Sequence, residues 1–224
     1  MAALEVLLCD NHLLAVTKPA GVPVVPDSSG DESLLERAKA WLKAEFAKPG
    51  EVFLGVVHRL DRPASGVVLF ARTSKAAARL SDQFRSGEAG KLYLAVAQGQ
   101  VRGEGGELEQ WLVKDERANR VRAVAAGTPG ARRAQTSWRV AGRCRERTLL
   151  ELVPATGRPH QLRAAAALGL GHPLLGDVKY GASGPLPDRS IALHAQRLEV
   201  RHPTRGERVV LDCAPPPRAW WAGW

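Results

Sequence analysis

The chain reads as an α+β protein built on a large, mainly antiparallel mixed β-sheet flanked by helices and loops. Three observations carry that reading. Apolar runs of strand length outnumber stretches of helical periodicity. Most consecutive runs are joined by turns too short for a parallel crossover. Two stretches of three or more turns, before and after residue 60, place apolar residues on a single helical face.

Taken in order, Leu4–Cys9 and Leu13–Thr17 are strand-like runs split by Asp10-Asn11-His12, a turn triplet. Lys18-Pro19-Ala20-Gly21 breaks the pattern and Pro23–Gly30 is a loop. Between Asp31 and Ala47 the apolar positions Leu34, Leu35, Ala38, Trp41, Leu42 and Phe46 repeat with helical spacing, and Asp31 or Ser33 is available as N-cap. Strands follow over Phe53–Val57 and Val67–Ala71. A second helix, capped by Thr73 or Ser74, runs to about Arg85 with Ala77, Leu80 and Phe84 on one face.

Leu92–Ala97 is a strand ended by Gly99. Leu108–Val113 and Val121–Ala126 suit a hairpin, as do Thr136–Ala141 and Thr148–Val153 around the charged turn Gly142–Arg147. Pro159–Leu168 is a short alanine-rich helix, with proline suited to its first position. Ile191–Val200 and Arg208–Asp212 close the sheet, and the tail carries Trp220, Trp221 and Trp224. No repeat or low-complexity linker divides the chain. Residues 1–224 read as one domain, with 99–108 the candidate hinge between two halves.

The 224 residues are 45% hydrophobic and 25% charged, enough to bury a sizeable core. No apolar run approaches the roughly 18 residues of a membrane span. The opening MAALEVLLCDNH lacks a basic segment and does not read as a signal peptide. Three widely spaced cysteines suggest neither a disulfide framework nor a metal site, so a cytoplasmic setting is expected. The net charge is +9 and unevenly placed. Between Lys114 and Arg163 there are 12 Lys or Arg against 4 Asp or Glu, whereas the remainder carries 20 against 19. A one-sided basic stretch is the footprint of a polyanion partner.

The segment His58–Gly66 (HRLDRPASG) is the most chemically suggestive. It sets one carboxylate, Asp61, between Arg59 and Arg62 on a turn joining two apolar runs. A carboxylate held there can serve as nucleophile or base. A kinase catalytic loop would need a different order and a glycine-rich loop. A glycosidase would need a second carboxylate in a comparable motif, and Glu51 and Asp82 lie in none.

Four segments in order resemble the RluA-type pseudouridine synthases. They are Asp10–Val22 (DNHLLAVTKPAGV), His58–Gly66, Phe84–Gly99 (FRSGEAGKLYLAVAQG) and Thr156–Gly181 (TGRPHQLRAAAALGLGHPLLGDVKYG). Leu193-His194-Ala195 and Arg201-His202-Pro203 are similar to the family's C-terminal strand region. The resemblance runs from about residue 4 to residue 220. It implies the pseudouridine-synthase fold and isomerisation of uridine in structured RNA, ribosomal or transfer, without metal or other cofactor. It implies no membrane and no obligatory protein partner, hence a monomer. Many members carry an N-terminal S4-type RNA-binding domain. Here the first catalytic segment starts at about residue 4, so target choice is expected from the catalytic domain itself.

By this resemblance Asp61 is the attacking group, at C6 of the base or C1′ of the ribose. Arg163 is the cation paired with it, for a guanidinium can grip a carboxylate in two places. Tyr93 stacks on the target base and is the leading candidate to remove the C5 proton. Leu162 is the apolar wall on the other face. Arg62 is associated with extruding the nucleotide, a step that costs a few kcal/mol of stacking. His58 and Gln161, with His160, complete the substrate side of the motifs as supporting residues. From the charge pattern, Arg132 and Arg133 would contact phosphates. The competing reading is a catalytically silent RNA-binding or remodelling protein on the same fold.

Overall fold

The computed structural model describes residues 4–224; Met1–Ala3, the start of the stretch read as lacking a leader, lie outside the described residues. Two compact units are present. The first comprises residues up to Gly90 together with Ala195–Ala214, and the second Lys91–His194 together with Pro215–Trp224. The chain thus passes between units at Gly90, 194/195 and 214/215, and the stretch 99–108 lies inside the second unit.

In the first unit, β1 (Val6–Cys9) pairs antiparallel with β2 (Leu13–Lys18), and β2 with β4 (Ser65–Ala71). The short β3 (Gly55–Val56) also joins β4. β10 (Leu193–Arg201) lies beside β4 and pairs antiparallel with β11 (Arg208–Asp212). Every residue of β4 is buried, so the run SGVVLFA is apolar rather than alternating. Helix α1 (Leu34–Glu45) begins at Ser33, not Asp31. Ser33 and Glu36 form a reciprocal capping box, in which each side chain accepts from the other's backbone N–H. Helix α2 (Ser74–Ser86) is capped by Thr73 and ends at Gly87 in the left-handed region. Its Ala76 and Leu80 pack with Leu13, Val67, Leu69, Leu198 and Leu211 in one core.

The strand expected over Phe53–Val57 shrinks to two residues. Gly55 lies so close to α2 that a Cβ there would sit 2.7 Å from the Ala77 Cβ, and Phe53 remains exposed.

In the second unit the strand order is β5 (Gly90–Gln98), β9 (Arg147–Pro154), β8 (Arg132–Cys144), β6 (Gly105–Asp115), β7 (Arg120–Val124), with every neighbouring pair antiparallel. β6, β8 and β9 are longer than expected because cross-strand pairing extends the ladder into polar sequence, whereas β7 starts at Arg120 and stops at Val124, two residues short of the expected end. The alanine-rich helix is shorter: α3 spans Gln161–Ala164 and widens into a π-turn over Ala165–Gly169. Ala164 packs on Leu112, Val121 and Ala134, which places α3 on one face of the β6–β7–β8 ladder. Trp220 and Trp221 pack against Val96, Leu149 and Ala192, so these tail residues belong to the core. No helix among the described residues is long and apolar enough to cross a membrane.

Candidate active-site residues

His58, Asp61 and Arg62 belong to the first unit, and Tyr93, Arg132, Arg133, Gln161, Leu162 and Arg163 to the second. Within the first unit the turn that carries Asp61 is held from several sides. Ala64 donates its N–H to the Asp61 carbonyl at 3.0 Å, and Gly21 donates to the Arg62 carbonyl at 2.8 Å. His58 accepts the Leu69 N–H at 2.9 Å and stacks on Phe84 with centroids 4.6 Å apart, contacts that brace the turn. Gly66, at φ +123°, lies against Ala195, whose Cα would sit 2.7 Å from any Cβ placed there. Only glycine fits both the backbone angle and the space.

The largest contribution to the turn comes from Lys18, which the sequence reading placed in a motif without a role. Its side chain is wholly buried at the end of β2. Its ammonium donates to the carbonyls of Pro19 (3.0 Å), Arg62 (3.0 Å) and Ala64 (2.7 Å). Three N–H donors thus meet three carbonyl acceptors, two of them within three residues after Asp61. Burial pushes the ammonium down, the Asp61 carboxylate offsets part of that and Arg62 adds to it, so that it lies at about 7. A cation that acts on Asp61 is therefore built into its own unit.

Arg62 is engaged inside the protein. Its Nε donates to the Gly21 carbonyl at 2.9 Å, and its amino groups pair with Asp27 (3.5 Å) and Asp31. Arg62 draws both carboxyls below their usual range, although hydrogen bonds from Ser29 lead for Asp27. Arg59 on the same turn is exposed and has no hydrogen bond or ion pair among the described residues.

In the second unit Tyr93 stands half-buried on β5, opposite Leu152 of β9. Leu162 and Arg163 lie on α3, and both are buried. Arg163 forms a two-point fork with Asp177: Nε to Oδ2 at 2.7 Å and Nη2 to Oδ1 at 2.6 Å. The ring of Tyr180 lies 5.0 Å from the guanidinium carbon. Sequence reading missed both partners. The signal was present in the quoted segment Gly176-Asp177-Val178-Lys179-Tyr180, but spacing alone does not say which way a loop side chain faces.

Gln161 braces the loop before α3. Its amide oxygen accepts from Thr156 Oγ1 (2.7 Å) and the Arg158 N–H (3.0 Å), and its nitrogen donates to the Gln135 carbonyl (2.8 Å) and Thr136 Oγ1 (3.0 Å). Those four bonds use the full capacity of an amide and leave nothing for a substrate.

Arg132 and Arg133 are neighbours on β8 and so project from opposite faces. Arg132 stands opposite Leu112, on the face that packs α3. Arg133 stands opposite Trp111 and pairs with Glu109 at 2.6 Å. Arg132 pairs with no acid among the described residues. Arg132→Ala is therefore expected to lower the slope of log affinity against log salt by about one, and Arg133→Ala by clearly less, in titrations with ribosomal RNA. Equal slopes for the two would refute the facial distinction.

Residues 12–168 match the family model for RNA pseudouridylate synthase. The chain belongs to the RNA pseudouridine synthase family, in its RluA-type branch. It is 35% identical over 213 residues to the dual-specificity RNA pseudouridine synthase RluA of Haemophilus influenzae, covering 93% of this chain and 92% of the relative. It is 36% identical to the RNA pseudouridine synthase YhcT of Bacillus subtilis, covering 93% of this chain and 68% of that one. Among solved structures, human RNA pseudouridylate synthase domain containing 4 superposes with a TM-score of 0.80 at 25% identity, covering 95% of this pseudouridine synthase and 89% of the human chain. The pseudouridine-synthase fold expected from the motifs is the one observed, and the chain is an isomerase of this family.

Proposed function

We propose that this pseudouridine synthase isomerises particular uridines in ribosomal or transfer RNA with Asp61 as its nucleophile. The observation that carries the assignment is the Asp61 turn, clamped by a buried lysine and closed by a glycine that no other residue can replace. A nucleophile needs that rigidity, because misplacement by about 1 Å can cost on the order of 100-fold in rate. Asp61 attacks the uridine at C6 or at C1′. The bond from C1′ to N1 breaks, the uracil turns, and C5 bonds to C1′. The bond to Asp61 breaks with its electron pair returning to the carboxylate. The C5 proton leaves to a base, with Tyr93 in that place, its electron pair restores the ring double bond, and N1 takes up a proton. Tyr93 and Leu162 hold the faces of the base, Arg163 supplies the countercharge that the chemistry on Asp61 needs, and Arg132 contacts phosphate.

Arg62 reaches the RNA after exchanging Asp27 and Asp31 for phosphate, since an anion of the substrate can replace the acids it now holds. The reading includes a single catalytic domain acting as a monomer in the cytoplasm. No observation favours the catalytically silent alternative. The test is a map of pseudouridine in cellular ribosomal and transfer RNA with and without this gene. One or a few sites should vanish on deletion and return on complementation. A map unchanged by deletion counts against the proposal.

A further inference from the structure

Arg163 is a long side chain asked to hold one orientation. Such a side chain gives up most of its rotamer freedom when fixed. The surrounding structure supplies what fixing it requires. Asp177 takes the edge formed by Nε and Nη2 and sets both the plane of the guanidinium and its roll. The ring of Tyr180 covers a face. The second amino group, Nη1, is left outside the fork. Arg163 and Asp177 are 5% and 1% exposed, so the pair is out of water.

The holders are themselves held. Gly176 at φ +81° lies against the Ser190 carbonyl, and a Cβ there would sit 2.8 Å from Leu186 Cγ. The Asp177 N–H donates to the Leu174 carbonyl at 3.0 Å, and the Asp177 carbonyl accepts from the Tyr180 and Ala182 N–H groups at 2.9 and 3.1 Å. The Tyr180 hydroxyl accepts the Val121 N–H at 2.8 Å and lies 3.0 Å from His160 Nδ1. One short turn therefore delivers a carboxylate and an aromatic ring to the same guanidinium. Val121 anchors that turn to β7, and His160 anchors it to the residue just before α3.

A buried ion pair is a weak source of net stability, because desolvation offsets most of its attraction and apolar replacements often serve as well. What a two-point fork supplies that an apolar contact does not is orientation.

We infer that Asp177 and Tyr180 are positioning residues that orient Arg163 for catalysis. The inference rests on the proposed role of Arg163. It leaves Asp177 and Tyr180 out of contact with the reacting atoms: they act on rate through the guanidinium.

The test is single-turnover conversion, at saturating enzyme, of ribosomal and transfer RNA extracted from cells lacking the gene, with RNA affinity measured alongside. Arg163→Met, Asp177→Asn, Asp177→Glu, Tyr180→Phe and Tyr180→Leu are compared with the unaltered protein. Asp177→Asn should slow conversion about 100-fold while RNA affinity stays within about threefold. Asp177→Glu should recover part of that loss. Tyr180→Leu should fall about tenfold, and Tyr180→Phe, which keeps the ring, by less. If Asp177→Asn does not fold, Asp177→Glu and Tyr180→Leu decide, and unaltered rates in both overturn the inference. It is equally overturned if Arg163→Met is inactive while the Asp177 and Tyr180 variants convert at the unaltered rate, or if they lose RNA affinity and melting temperature but not saturating rate. Full activity in Arg163→Met would instead refute the role of Arg163.

Discussion

Asp61→Asn is expected to lower uridine isomerisation by about 10⁴-fold or more, while RNA affinity stays within about threefold. The substitution keeps the size of the side chain and removes only its ability to act as an anionic nucleophile. The turn has its own supports, since Lys18 donates to the carbonyls of residues 19, 62 and 64, and Ala64 donates to the Asp61 carbonyl. Loss of activity with intact melting and binding therefore reports chemistry rather than collapse. The check is isomer detection by mass spectrometry or chemical mapping in RNA treated with each protein. Equal conversion by the two proteins would remove Asp61 from the mechanism. There is a second consequence. The Asp61 carboxylate helps Lys18 keep its proton, so the amide variant should hold that proton less tightly than the unaltered enzyme does.

Lys18→Met is expected to have the next largest effect, on stability and activity together. Methionine fills similar volume but takes the donor from the Pro19 and Ala64 carbonyls, each worth about 1–3 kcal/mol when buried and unsatisfied, while the Arg62 carbonyl keeps the Gly21 N–H. Against this stands relief from burying an ammonium. A shift from the usual lysine value of 10.5 to about 7 corresponds to a cost of at most about 5 kcal/mol near neutral pH. The two effects oppose each other and nearly cancel, so a net loss of no more than about 1 kcal/mol at pH 7 is expected, with conversion at least about 100-fold slower because the Asp61 turn shifts.

The pH dependence distinguishes the two contributions. The folded protein binds the Lys18 proton more weakly than the unfolded chain does. Unfolding therefore takes up a proton between about pH 7 and the ordinary lysine value of 10.5, and stability from this site rises with pH across that window. Methionine has no such proton. In urea unfolding at pH 7, 8 and 9, the stability gap between the two proteins should widen by about 1 kcal/mol per pH unit. A gap that stays constant would show that Lys18 does not titrate there.

Much of this protein was legible before its coordinates. Ser33, Leu34, Ala38 and Leu42 announce α1, because a cap and an apolar face lie within a dozen consecutive residues. The β6–β7 and β8–β9 hairpins were legible for the same reason, as was the Asp61 turn, where His58, Asp61 and Gly66 are close in sequence. The interactions that were not legible join residues far apart. Lys18 meets the carbonyls of Arg62 and Ala64, which lie 44 and 46 positions away. Arg163 meets Asp177, 14 positions on. Nor does composition say which arginines are spent on acids: Arg62 and Arg133 are, and Arg132 is not.

Local chemistry thus settled the fold class, the family and the turn that carries Asp61, since periodicity, caps and motifs are written in contiguous residues. Packing decided the rest: which buried cation clamps that turn, which carboxylate holds Arg163, and which of two adjacent arginines lies on the face that packs α3. Each of those depends on where the backbone delivers a side chain in a medium of low polarity. There a donor must find its acceptor and a charge its partner, and neither requirement leaves a mark in local sequence.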